Sequence, residues 1–111
     1  MSQEKSLSIS RAEIDNFLQI LDEFLIRSKL TLYDHYNSKY VVSEDTIILV
    51  CEMVAVSAAA ISLVERSVDL FSTEETLEIA AADLMVLSQL FMRSTELNDD
   101  LFRRNIFYEN Q

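Results

Sequence analysis

The chain has 111 residues, half of them apolar, and contains neither glycine nor proline. It is long enough for one domain with a buried core, and the missing glycine excludes phosphate-cradling loops and the two-residue hairpins that need positive φ. With 19 acidic against 9 basic side chains the net charge is −10, which repels nucleic-acid backbones and anionic lipid surfaces and favours a basic protein surface as partner.

Residues 1–9 are mostly polar and are expected to form a flexible N-terminal arm, with a single helical domain over residues 10–109. The first residues lack the apolar stretch of a secretory signal, and the lone Cys51 has no internal disulfide partner. Both point to a cytoplasmic protein. Ser10-Arg11-Ala12-Glu13 has the form of a capping box. Ile14, Phe17, Leu18, Leu21, Phe24 and Leu25 then recur at helical spacing, so a first helix is predicted to start there. It breaks at about residues 37–43, where no glycine or proline marks the end.

Ser43-Glu44-Asp45 supplies an N-cap and a negatively charged first turn for a second helix. From Ile47 to Val64 its only charge is Glu52. That length touches the lower limit for a membrane span. The mid-segment glutamate, the lack of flanking Lys/Arg clusters and aromatic belts, and the acidic charge of the whole chain argue against a membrane. A helix apolar on every side is instead expected to be covered on every side, which is easiest if a second copy of the chain contributes.

Ser72-Thr73-Glu74-Glu75 has the form of a second capping box, before a third helix that runs to about Arg93 with Leu77, Ala80, Ala81, Leu84, Leu87 and Phe91 facing inward. Ser94 or Thr95 then caps a short fourth helix carrying Leu97, Leu101, Phe102 and Ile106. The expected fold is all-α, a four-helix bundle-like domain completed by homodimerisation, with short connections and no internal repeat.

One histidine and one cysteine cannot make a zinc site, and nothing brings His35 to Cys51 as a base to a nucleophile. No catalytic residue and no cofactor are assigned. Glu52 and Asp83 stand out as single acids in otherwise apolar helical stretches, where an unpaired carboxylate is costly. If the second and third helices fold back about residue 69, position 52 lies opposite about position 86, and the two acids could face each other. This pattern resembles the metal site of the all-α nucleotide pyrophosphohydrolases of the MazG-like kind, which set Glu-Glu-x-x-Glu on one helix against Glu-x-x-Asp on the next. On this chain the motifs fall on Cys51, Glu52 and Ala55 and on Ala80 and Asp83, so two of the five acids are present. The resemblance implies a degenerate pyrophosphohydrolase scaffold, with Glu52 and Asp83 as remnants of a Mg²⁺ site. The competing structural reading is that Glu52 or Asp83 pairs with Arg66 or Arg93, bonds Ser57, Ser88 or Gln89, or lies on a solvated face.

Tyr33, Tyr36 and Tyr40 are interleaved with polar residues and have the character of interface anchors. Glu74, Glu75 and Glu78 offer acids to a basic surface. The leading expectation is a small acidic interaction protein, a regulator or inhibitor of the antitoxin, immunity or phage-antagonist kind, acting through these six residues. It needs no direct contact with nucleic acid or membrane. The alternatives are the degenerate pyrophosphohydrolase and a structural subunit of a larger assembly.

Overall fold

The structure is a computed structural model and describes residues 5–39, 41–104 and 106. The elements run β1 (Ser6–Ser10), α1 (Arg11–Tyr36), α2 (Glu44–Ser67), β2 (Thr76–Ala80) and α3 (Ala81–Arg103). The fold is mostly helical, as composition and periodicity require, with three helices among the described residues and one small antiparallel strand pair.

α1 begins where expected, with the Ser10 hydroxyl accepting from the Glu13 N–H at 3.1 Å. It ends at Tyr36 in a Schellman closure. The Lys39 N–H donates to the Asp34 carbonyl and the Ser38 N–H to that of His35, while Ser38 takes the left-handed conformation (φ 60°). Glycine usually fills that position because it carries no Cβ. In this glycine-free chain a serine fills it, and the Asn37 side-chain amide donates to the Tyr33 carbonyl alongside. α2 is capped by Ser43, whose hydroxyl accepts from the Thr46 N–H, with Glu44 and Asp45 in the first turn.

Three expectations are corrected. Residues 6–10 belong to β1 rather than to a flexible arm: Ser-Leu-Ser-Ile-Ser alternates with period two and puts Ile9 into the core. Ser72-Thr73-Glu74-Glu75 caps no helix, because the chain continues into β2 and α3 starts only at Ala81. The Ser72 hydroxyl instead accepts from the Glu74 N–H inside a loop. No separate helix begins at Ser94 or Thr95, since α3 runs unbroken through both, and their hydroxyls donate to the Phe91 and Met92 carbonyls. A mid-helix serine or threonine can satisfy itself in this way without starting a helix.

α2 lies between α1 and α3, which touch each other little. One buried cluster joins Ile14 and Leu21 of α1, Ala60, Leu63 and Val64 of α2, and Leu87 of α3, with Ile9, Leu77 and Ile79 from the strands. The other joins Phe24, Val50, Met53, Leu97 and Leu101. Early α1 and early α3 therefore meet late α2, so α1 and α3 run parallel and α2 antiparallel to both. Phe17 and Phe91 meet edge to face with ring centroids 4.8 Å apart. Buried Ser28 and Ser57 return their hydroxyls to the Phe24 and Met53 carbonyls, which leaves no unmet donor where these small side chains sit between helices.

The expectation of no internal repeat is also corrected, because the strand pair joins two short similar segments. Leu7-Ser8-Ile9-Ser10-Arg11-Ala12-Glu13-Ile14 matches Leu77-Glu78-Ile79-Ala80-Ala81-Ala82-Asp83-Leu84 in apolar pattern, and the register centres on Ser8 opposite Glu78, which are equivalent positions. The flanking hydrogen bonds obey the same dyad. The Arg11 N–H donates to the Glu75 carbonyl, and the Ala81 N–H donates to the Lys5 carbonyl, each at 2.8 Å. The second bond satisfies an orphan donor at the start of α3, whose N-cap Ala80 has no side chain to offer. The two strands and the first residues of the helices that follow them are thus related by a local two-fold.

Candidate docking surface

Five of the six residues selected from the sequence are described, and the structure does not gather them into one patch. Tyr33 and Tyr36 lie in the last turns of α1, 61% and 83% exposed. Tyr40 lies outside the described residues. Glu74 and Glu75 sit in the loop before β2, and Glu78 sits on β2, all three exposed. The strands meet the start of α1, and Tyr33 is 22 residues further along it, roughly 33 Å away at 1.5 Å per residue. Tyrosines and glutamates therefore occupy opposite ends of the molecule.

α1 supplies what the sequence reading missed. Ile26, Leu30 and Tyr33 recur at i, i+4 and i+7, hence on one face, and are 49%, 57% and 61% exposed. The core stripe of the same helix (Ile14, Leu21, Phe24, Ser28 and Thr31) points the other way. Asp22 and Glu23 precede this apolar stripe, and Lys29 and Asp34 flank it. The signal was present in the sequence as a second apolar series offset from the first. It was absorbed into the general apolarity of the segment. At the end of the stripe His35 closes the α1–α2 connection, its Nδ1 accepting from the Val42 N–H at 3.3 Å.

Glu52 and Asp83, the pair behind the pyrophosphohydrolase resemblance, do not meet. Glu52 is engaged by Arg93, with Nε to Oε2 at 2.6 Å and Nη2 to Oε1 at 2.8 Å. The hairpin expected about residue 69 would have set position 52 near position 86. β2 inserts before α3 and shifts the alignment by seven residues, about two helical turns. Asp83 sits in the first turn of α3, ten residues before Arg93 and so roughly 15 Å further along the helix. No group of three or more His, Cys, Asp or Glu side chains capable of holding a metal ion occurs among the described residues.

The forked contact with Arg93 holds the Glu52 carboxyl below its ordinary value of 4.5, while slight desolvation opposes the shift. A carboxyl lowered in this way contributes stability above its unfolded pKa, and that contribution is lost as pH falls through the folded value. Both side chains are about two-fifths exposed, so the contribution is that of a surface pair, screened by water. In an NMR titration Glu52 is expected to ionise below its ordinary value, and Arg93→Gln to return it there. An unchanged Glu52 titration in that variant would show that the ion pair does not form in solution.

A hollow of about 480 Å³ beside the α2–β2 connection is lined by residues 65–71. It is the inside of one turn of chain and draws no groups together from separate elements. Comparison of the chain with protein-family models, with curated proteins and with solved structures returned no match.

Proposed function

We propose that this protein is a small acidic helical interaction module, a cytoplasmic regulator or inhibitor that docks on a basic surface of a partner protein and itself pairs with a second copy. The observation that carries the reading is the outward stripe Ile26, Leu30 and Tyr33 on α1, framed by the charged side chains Asp22, Glu23, Lys29 and Asp34, three of the four acidic. Apolar side chains framed by polar ones are the usual anatomy of a protein interface. Three such anchors on one helix face suit a complementary apolar groove. The surrounding acids and the net charge of −10 select a groove with basic edges.

The experiment is co-purification from the native host with identification of what is retained, repeated with Leu30→Asp. A partner retained by the wild type and lost by this variant supports the reading. Retention indifferent to Leu30→Asp removes the α1 stripe from the function.

A further inference from the structure

The outer face of α2 has no partner among the described elements. α2 has a mean hydropathy of 2.5 over its most apolar 18 residues, yet only 33% of that window is buried. Its inner stripe, Thr46, Val50, Met53, Ser57, Ala60 and Val64, packs against α1 and α3. The opposite stripe, Glu44, Ile48, Cys51, Ala55, Ala59, Ser62 and Arg66, is exposed along its whole length.

From this stripe we infer that α2 is the dimer interface, with two copies of α2 antiparallel across a two-fold axis at Ala55. The proposal rests on the dimer reading above and adds its face, direction and register. The spacing of the stripe is the same outward from Ala55 in either direction: four, three and four residues to Cys51, Ile48 and Glu44, and four, three and four to Ala59, Ser62 and Arg66. A two-fold axis at Ala55 therefore sets Glu44 against Arg66 of the second copy twice over, Ile48 against Ser62, and Cys51 against Ala59. Glu44 and Arg66 meet at both ends, with exposed Asp45 and Glu65 beside them, and the one large side chain meets a small one.

A parallel pairing would set Glu44 against Glu44 and Ile48 against Ile48. Self-complementarity under a two-fold axis is the requirement of an isologous interface, and the Glu44–Arg66 and Ile48–Ser62 pairings meet it. The face also suits protein better than lipid. Alanine, serine and cysteine offer little apolar area to acyl chains but let two helix backbones approach closely, and antiparallel helix dipoles attract.

The test uses the full chain and its mass in solution by sedimentation equilibrium at micromolar concentrations. The wild type is expected to be a dimer. Glu44→Arg and Arg66→Glu are each expected to weaken it by about tenfold or more, because each change converts two attractive contacts into two repulsive ones. The double variant E44R/R66E should restore it, and an equimolar mixture of the two single variants should form the heterodimer. Circular dichroism of each variant checks that the helices remain.

As a second measurement that leaves these charges in place, C51S/A55C should cross-link into a dimer under mild oxidation. The wild type should not, because Cys51 faces Ala59 of the second copy. A dimer indifferent to the charge changes, or a rapid Cys51–Cys51 disulfide, overturns the register while leaving the dimer reading standing. A wild-type monomer overturns both. Binding of the monomer to phosphatidylcholine vesicles would assign the face to lipid and also overturn the proposal.

Discussion

Thr95→Pro is expected to destabilise the protein by about 3 kcal/mol or more, a large share of the ~5–15 kcal/mol that holds a domain of this size. α3 runs unbroken from Ala81 to Arg103, so residue 95 lies in a helix interior. Proline there removes the N–H that would donate to the Phe91 carbonyl, and its ring collides with that carbonyl. The consequence extends beyond the local bend. Leu87 belongs to the core cluster at one end of α2, and Leu97 and Leu101 to the cluster at the other end. A kink at residue 95 detaches one from the other. Had a separate helix begun at Ser94, residue 95 would be its first position, where proline is well tolerated. Urea denaturation of the variant therefore discriminates sharply. A midpoint unchanged from wild type would show that α3 is divided.

The same contrast explains what could be seen in the sequence. The start of α1 and the start and apolar character of α2 were legible, because a serine N-cap stands before a long periodic run in α1 and before a long apolar run in α2. The strands were not. β1 is five residues long, too short for its alternation to stand out from a polar terminus. In β2, Leu77 and Ile79 satisfy the strand period while Leu77, Ala80 and Leu84 satisfy the helical one. The capping-box pattern at Ser72 then tipped the choice toward helix. Only tertiary pairing resolves such a segment, and here the partner strand lies seventy positions away, Ser8 against Glu78.

Missing β2 also misplaced the candidate site. Its five residues, with the loop before them, moved α3 by two turns against α2, so Glu52 met Arg93 instead of approaching Asp83. Arg93 is one of several partners the sequence offers Glu52, beside Arg66, Ser57, Ser88 and Gln89, and the choice among them depends on a register that no local pattern encodes. Tyr33 was selected for its residue type, and the structure adds the two aliphatic neighbours, Ile26 and Leu30, that make it part of a face.

Leu30→Ala and Tyr33→Ala are each expected to weaken binding to the native partner by about thirtyfold, the scale of a central anchor worth about 2 kcal/mol. Both side chains point away from the core and are more than half exposed, so stability should move by no more than about 0.5 kcal/mol. That separation matters, because a loss of binding at unchanged melting temperature cannot be ascribed to unfolding. The loss should appear in the off-rate, since buried apolar area is not screened by salt. The acids behave otherwise. Neutralising Asp22 and Glu23 beside the stripe should slow association, with an effect that fades as salt shortens the Debye length to about 8 Å at physiological ionic strength. Neutralising Glu74, Glu75 and Glu78, at the far end of the molecule, should alter the on-rate only through the total charge, and less. Stopped-flow kinetics at two salt concentrations measures all three sets of variants. Equal effects from the two acidic groups would show that the partner reads overall charge and not the α1 face. Off-rates indifferent to Leu30 and Tyr33 would remove that face from the interface.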